Sequence, residues 1–305
     1  MECRMKSAWG WSLALVVAFA GSDALGASLR WKLKVGEALR YEMTEKTITT
    51  VSTGGTEVSK VTLTQTVDLT WNVKGVDPQG AADLTHTINR VRIKIESPML
   101  NVDFDSKDEQ GPANPLRSLF KVLVGTPFPF KMSPQGVLSD VQIPGNISKI
   151  LNELGGAAGG SKNIFSEEGL KTMITQASVI MPKEEVSEGK TWTQESEIPS
   201  PPMGSLTLAK TYRYDGESPQ GVAKIGVDAK FTLKPAVGQE VPFTIKTQSA
   251  KGELTFDNAA GRLTVSSLNE KLEQVGKIQD REFSQMTDST VGMKLMSAES
   301  ATAPK

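Results

Sequence analysis

The stretch VTLTQTVDLTWNV, residues 61–73, alternates apolar and polar side chains, except that Gln65 takes an apolar position. Its apolar members are Val61, Leu63, Val67, Leu69, Trp71 and Val73. A repeat of two places these side chains on one face of a β-strand and the polar residues between them on the other. One buried and one solvated face is typical of an antiparallel sheet, because the strands of a parallel sheet are covered on both faces.

Further segments show strand-like patterns, and turn signals such as STGGTE, VDPQG, ESPQG and DNAAG separate them. Glycine in such turns accommodates a positive φ, and proline or aspartate starts the turn. The segments are residues 38–51, 80–95, 205–214, 222–234, 241–256, 261–275 and 277–296. This succession predicts a mainly β fold with a small helical insert, in which antiparallel β-meanders form a curved sheet or barrel-like half-barrels.

Two of the predicted meanders resemble each other. When the PQG triplet at 78–80 is aligned with the triplet at 219–221, Trp71 falls on Tyr212. Each half also opens with a glycine turn and an aromatic strand, KVGEALRYEM and VSEGKTWTQE. Similarity in a fixed order indicates a repeated unit, and two such units are expected to pack together or to pair edge to edge. Two unrelated meanders with similar turns remain the alternative.

The segment between the meanders has helical signals. Ile147, Ile150, Leu151 and Leu154 recur at helical spacing, and FSEEGLKTMITQ follows with a second apolar stripe. The dense apolar stretch SLFKVLVGTPFPFKM, residues 118–132, is interpreted as a buried strand entry or a lip over an apolar cavity. The predicted organisation is a signal peptide at 1–27, a first β-meander at 28–144, a helical insert at 145–182, a second β-meander at 183–296 and a disordered tail at 297–305.

The amino terminus predicts export. Arg4 and Lys6 precede the apolar run AWGWSLALVVAFAG, and small residues follow it, so cleavage after Ala24 or after Ala27 fits a secretory signal peptide. The run is too short to span a bilayer comfortably, and no later run is long enough. Cys3, the only cysteine, lies ahead of the apolar run and leaves with the peptide. Export without disulfides favours a bacterial envelope, with a periplasmic or extracellular location.

Composition argues against several partners. The formal net charge is −1, and acidic and basic residues are interspersed. A basic surface that tracks phosphates is therefore not expected, and nucleic acid is an unfavoured partner. A mature chain without cysteine has no thiol nucleophile and no cysteine-based metal site.

His86 is the only histidine, and it shares a predicted strand face with Leu84 and Ile88. The alternation then slips, which predicts a β-bulge near Asn89 and Arg90. One histidine without an identified partner makes neither a catalytic triad nor a metal cage. It is interpreted as a hydrogen-bonded or half-exposed strand residue, and whether it has any role stays open.

Carboxylates cluster at Asp103, Asp105, Asp108 and Glu109, but the run lacks the glycine and the terminal glutamate of a calcium-binding loop. A solvated loop is the preferred interpretation. No serine lies in a Gly-x-Ser-x-Gly elbow, and GGAAGG lacks the Lys-Ser/Thr of a phosphate loop. We therefore predict no enzyme, no catalytic or metal-binding residues and no cofactor, and the sequence leaves the ligand-binding residues unassigned.

Several motifs carry a family resemblance: VGEALRYEM, the strand F-x-M-x-P-x-G-V-L at 130–138, P-x-x-x-V-x-x-G-x-T-W at 182–192 and G-x-L-x-F-D at 252–257. With them the chain resembles an uncharacterised family of exported bacterial β-rich proteins, and the resemblance implies an envelope protein without implying an activity. A remoter architectural likeness is to periplasmic lipoprotein carriers, in which helices plug a curved sheet that holds acyl chains.

Two functions follow as hypotheses. The first is non-enzymatic binding of an apolar or amphipathic, lipid-like ligand by one-sided strands and amphipathic helices. The alternative is a structural or protein–protein interaction module at the envelope that presents a sheet edge or patch. A ligand cavity would favour the first, and a solid core with an exposed apolar patch the second. Oligomeric state, ligand identity and one barrel against two domains stay open.

Overall fold

A computed structural model describes residues 26–108, 115–150, 167–176, 178–200, 204–235, 243–278 and 281–300. The first part contains β1 (Glu37–Thr53), β2 (Thr56–Val76), β3 (Ala82–Glu96), β4 (Asn101–Asp105), α1 (Pro115–Leu123), β5 (Pro127–Met132) and β6 (Leu138–Ser139). Residues 145–150 are helical and are labelled α2, and α3 spans Glu167–Gln176. The second part contains β7 (Thr191–Ser200), β8 (Gly204–Glu217), β9 (Val222–Pro235), β10 (Phe243–Asp257), β11 (Arg262–Ile278) and β12 (Arg281–Ser300).

The strands form one antiparallel sheet that is curved and not closed. Its order is β6-β5-β3-β2-β1-β12-β11-β10-β9-β8-β7, with β4 paired to β3. The first meander runs outward from β1, the second runs inward to β12, and the two meet edge to edge through the β1–β12 pair. The predicted mainly β fold is confirmed, and of its two forms the structure has the curved sheet.

The alternation of residues 61–73 is realised in β2. The apolar set lies on the face that we call the inner face, with Tyr41 opposite Leu69 and Trp71 opposite His86 in the neighbouring strands. The predicted bulge is also present, because Asp68 pairs with Arg90 while Leu69 pairs with Ile88, which leaves Asn89 without a partner. The bulge restores Val91 and Ile93 to the inner face, and this restoration explains the slip in the sequence pattern.

The hydrophobic core lies at one end of the inner face, which we call the near end. Residues 27–35 cross this end, and Leu29, Trp31 and Leu33 are buried there. The Trp31 ring is 5.8 Å from the ring of Trp71 on β2 and 5.6 Å from that of Phe256 on β10. In a flat sheet β2 and β10 would lie roughly 19 Å apart. One ring therefore contacts both strands only because the sheet curves around this segment.

The two meanders repeat the same turns. Gly80 donates a backbone hydrogen bond to Asp77 and Gly221 donates one to Ser218, each at 2.9 Å, and both glycines have a positive φ. The opening turns match as well, since Gly36 bonds the carbonyl of Val73 and Gly189 bonds that of Tyr214. Because residues 73 and 214 coincide in the sequence alignment of the two halves, the turns support the predicted relation between the meanders.

The near end is closed by contacts between the halves. Lys32 in the first half donates its backbone N–H to the carbonyl of Gly261 in the second half. Arg262 at the start of β11 forms an ion pair with Glu37 at the start of β1, with 2.7 Å between Nη1 and Oε1 and both side chains nearly buried. A buried ion pair is costly to break, because removal of one partner leaves the other charge uncompensated.

Helix α1 was not predicted, and the stretch 118–132 is not a single strand entry. It holds the end of α1, a turn at Gly125 and then β5. The helix has ordinary boundary signals, Pro115 at its first position and Gly125 just after its end. Its valine and phenylalanine residues also favour a strand, and β5 follows closely, so the sequence pattern did not indicate a helix. Strand β12 runs through Ser300, so it extends four residues into the segment predicted as a tail. Residues 1–25 of the predicted signal peptide, residues 151–166 and 177 of the predicted insert, and residues 301–305 lie outside the described residues.

Candidate functional site

The inner face of the first half is filled beyond the near end. Phe104 on β4 is buried and stacks on Phe120 of α1, with 5.4 Å between the ring centroids. Leu63, Ile95 and Val102 pack against the same core cluster. Helix α1 is amphipathic, and the insert between β3 and β5 therefore supplies both a strand and a covering helix.

The second half presents an apolar surface at the end opposite the near end, which we call the open end. Eight half-buried side chains on β8 to β12 face inward there by register. They are Leu206, Leu208, Phe231, Leu233, Phe243, Ile245, Leu272 and Phe283, and we call them the apolar wall. Within the described ranges, none of the eight packs against either hydrophobic cluster.

Strands β9 and β10 diverge along the apolar wall. They pair only from Val222 opposite Asp257 to Ala229 opposite Ala250. Beyond that point the side chain of Gln248 spans the gap, because its Oε1 accepts from the Phe231 N–H at 2.7 Å and its Nε2 donates to the Phe231 carbonyl at 2.9 Å. The side-chain amide replaces a backbone partner, which leaves a slit in the sheet next to the wall.

A transverse row of seven residues, five of them polar, separates the wall from the core. Its members are Cα partners on successive strands: Gln194, Lys210, Ala229, Ala250, Glu270, Ser289 and Thr47. We call this the polar row. Thr47 donates to Glu45 Oε1 at 3.0 Å and shares a hydrogen bond with Ser289 at 2.8 Å. The inner face thus changes from an apolar core to a charged belt and then to an apolar wall.

The pKa values of Lys210 and Glu270, the two charged members of the polar row, are shifted by their surroundings. Burial lowers the pKa of Lys210, and the nearby Glu270 carboxylate acts in the opposite direction. Burial raises the pKa of Glu270, Lys210 opposes that shift, and Glu45 adds to it. Inward charges of this kind need a partner, because desolvation penalises the ionised form.

His86 has a structural role. The Trp71 Nε1–H donates to His86 Nδ1 at 3.0 Å, and the imidazole packs edge-on against Phe128. Burial lowers the pKa of His86 to about 4, so the ring is neutral at neutral pH and its Nδ1 remains an acceptor. The interpretation of His86 as a hydrogen-bonded strand residue is confirmed.

Two carboxylates, one of them from the run at 103–109, form structural contacts. Asp105 forms a two-pronged ion pair with Arg90, whose hydrogen bond lowers the pKa of Asp105 to about 2. Glu167 accepts from Ser148 and pairs with Lys171. No three His, Cys, Asp or Glu side chains of the described ranges group as metal ligands do, and Glu109 lies outside those ranges.

Lys210, Glu270 and Gln248 did not stand out in the sequence analysis. A signal for the two charged residues was available, because each occupies the apolar phase of an alternating strand. Lys210 follows Leu206 and Leu208 in step, and Glu270 lies between Leu268 and Leu272. The slit bridged by Gln248 had no such signal, since nothing local indicates that two strands diverge.

Among the described helices, none is long and apolar enough to cross a membrane.

Comparison with known proteins adds a family and a fold likeness. A sequence model described as "Family of unknown function (DUF6263)" matches residues 79–263, more than half of the 305-residue chain. The expected kinship with an uncharacterised family is confirmed, and the exported, bacterial character of its members stays a prediction. A solved chain titled "Lipid-protein interactions in lipovitellin" is similar at 14% identity with a TM-score of 0.48. The match covers 89% of this chain and 26% of that one, so this chain spans about a quarter of its length, and so weak a likeness carries no argument. The search of curated proteins found no match.

Proposed function

The chain belongs to this family of unknown function, and we propose that it binds an amphipathic, lipid-like ligand on the inner face of the second half. The binding is non-enzymatic. The observation that carries the proposal is the apolar wall, eight inward side chains that join no hydrophobic cluster of the described residues. A contiguous apolar surface on a concave face is the usual chemistry of a site for alkyl or acyl chains.

The wall also has suitable dimensions. From Lys210 to Gly204 the inner face of β8 runs for six residues, roughly 20 Å at the rise of an antiparallel strand. An extended alkyl chain fits along such a surface. The slit between β9 and β10 offers lateral access, because only the Gln248 side chain bridges the two strands beside Phe231.

A matched pair of variants tests the proposal. Phe231 faces inward, whereas its neighbour Thr232 is exposed on the outer face. We expect Phe231→Asp to weaken binding of a dodecyl-chain fluorescent probe by at least tenfold, because a carboxylate on the wall opposes desolvation. Thr232→Asp adds the same charge outside and is expected to bind like the unaltered protein. Equal affinities in both folded variants, or no binding in the unaltered protein, would contradict the proposal.

We also propose that the chain is exported and that cleavage follows Ala24. The two backbone hydrogen bonds between Ala27 and Val186, at 2.8 and 3.0 Å, support this position. Cleavage after Ala24 retains Ala27 in this bridge, whereas cleavage after Ala27 removes it. The intact mass of protein recovered from the periplasm of a bacterial host is expected to begin at Leu25. A mass that begins at Ser28 would overturn the site, and retention of the whole segment would overturn export.

One observation favours a second candidate, a protein-interaction module. Met99 is 97% exposed and Leu100 is 55% exposed at the tip of the β3–β4 hairpin. Reciprocal hydrogen bonds between Ser97 and Leu100 hold this tip in a tight turn. A rigid apolar tip fits a pocket on a partner protein. Replacement of both residues by serine is expected to abolish co-purification with such a partner and to leave probe binding unchanged, and retained co-purification would exclude the tip.

A further inference from the structure

The strongest feature that apolar binding leaves unexplained is the pair of opposite charges in the polar row. Lys210 on β8 and Glu270 on β11 both face inward, and the two strands between them contribute Ala229 and Ala250. Three strand spacings amount to roughly 14 Å in a flat sheet, and curvature shortens the distance. The two alanines lack the bulk to fill the space between the ammonium and the carboxylate.

Neither charge has a direct partner. Among the described residues, neither Lys210 nor Glu270 forms an ion pair within 4.0 Å or a side-chain hydrogen bond, and only longer-range charge interactions act on them. By contrast, Glu45, two residues closer to the core than Thr47 on β1, accepts a hydrogen bond from Thr47. Half-buried charges have lost part of their hydration, and two charges separated by a gap compensate this desolvation cost only in part. A ligand that brings one charge of each sign would offset this cost at both residues.

We propose that the polar row binds the head group of a zwitterionic amphiphile, with its anionic group at Lys210 and its cationic group at Glu270. This inference rests on the proposed function, because the tail then lies along the apolar wall. The head group meets the wall at Leu208 and Leu272, each two residues beyond a charged member of the row. A solely anionic head group would face two carboxylates, Glu270 and Glu45, and a solely cationic one would leave Lys210 without a partner.

Calorimetric titration with four detergents that share a dodecyl chain tests the inference. The head groups are phosphocholine, sulfate, trimethylammonium and maltoside, and all are used below their critical micelle concentrations. We expect the phosphocholine compound to bind most tightly. Loss of one charge-assisted contact corresponds to about a tenfold weakening.

The variants assign each charge. Lys210→Met is expected to weaken binding of the phosphocholine and sulfate compounds and to spare trimethylammonium, and Lys210→Arg is expected to restore much of the loss. Glu270→Gln is expected to weaken the phosphocholine and trimethylammonium compounds and to spare sulfate. Lys230→Met, on the exposed outer face of β9, serves as the control. Urea unfolding of each variant checks that it remains folded.

The outcomes separate this inference from the function on which it rests. Equal binding of all four detergents, unchanged by Lys210→Met and Glu270→Gln, overturns the head-group assignment and leaves the apolar site standing. A preference for sulfate that Glu270→Gln does not alter overturns the zwitterion. Failure of every detergent to bind overturns the proposed function itself.

Discussion

The two halves of the sheet begin alike and end differently. Both have the same glycine turns and the same inward alternation near the core. In the first half, α1 packs over β4, and Phe104 is buried against Phe120. In the second half, β9 and β10 diverge and the apolar wall joins no cluster of the described residues. Two meanders with similar turns thus differ in that one is packed against α1 and the other is open, and the segment between β3 and β5 supplies that helix.

The largest effect is expected from one substitution made in each half. Phe104→Ala removes a buried ring and its stacking partner's contact, which typically costs about 3–5 kcal/mol of unfolding free energy. Phe231→Ala removes a half-buried ring that joins no cluster, and we expect a cost below about 1 kcal/mol. Urea unfolding of ligand-free protein measures both, and equal costs would remove the distinction between a filled and an open half.

The link between the halves provides the next test. Glu37→Gln leaves Arg262 nearly buried without its carboxylate, and the expected loss is about 3 kcal/mol. The control is Glu299→Gln, which removes the partner of Arg40 from an ion pair that is 56% exposed on both sides. Exposed pairs contribute about 0–1 kcal/mol. A loss of similar size in both variants would mean that the near end is not closed by the buried pair.

His86 makes the halves differ in their response to acid, because Val227 occupies the matching place. The folded-state pKa of about 4 lies below the ordinary value of 6.5, so between these values the unfolded chain binds the proton and the folded protein does not. The stability that His86 contributes is therefore full above pH 6.5 and is lost as the pH falls toward 4. Glu270, with its raised pKa, acts in the opposite direction.

The measurement compares the unaltered protein with His86→Gln, which keeps an acceptor for Trp71 and removes the titration. Urea midpoints at matched pH values cancel the carboxylates that both proteins share. The unaltered protein is expected to lose stability relative to the variant between pH 6.5 and pH 4. Parallel pH profiles would show that His86 titrates normally in the folded state.

The smallest effect is expected at the slit. Gln248→Leu removes both hydrogen bonds to Phe231, and the expected loss is about 1 kcal/mol, because water can replace the partners at a half-buried site. The Phe231 amide is expected to exchange its hydrogen faster, while the amide of Ile225, in the paired part of β9, keeps its protection. Unchanged exchange at Phe231 would show that Gln248 does not hold the strands together.

Much of the fold was predictable because its signals are local. Alternation identified the inner set of β2, the slip after Ile88 identified the bulge, and the PQG triplets identified two glycine turns. The candidate site was harder to predict from the sequence. Lys210 and Glu270 lie 60 positions apart in the chain, and only the register of four strands places them in one row.

The sequence alone determined which side of each strand is apolar, where the chain turns and where the alternation slips, because a period of two and a positive φ are properties of short segments. The tertiary structure decided which apolar surface is covered and which is open, and which charges share a row. Burial depends on which other parts of the chain pack over a face. The alternating patterns around Phe104 and Phe231 are therefore alike, although Phe104 is buried and Phe231 lies in the open apolar wall.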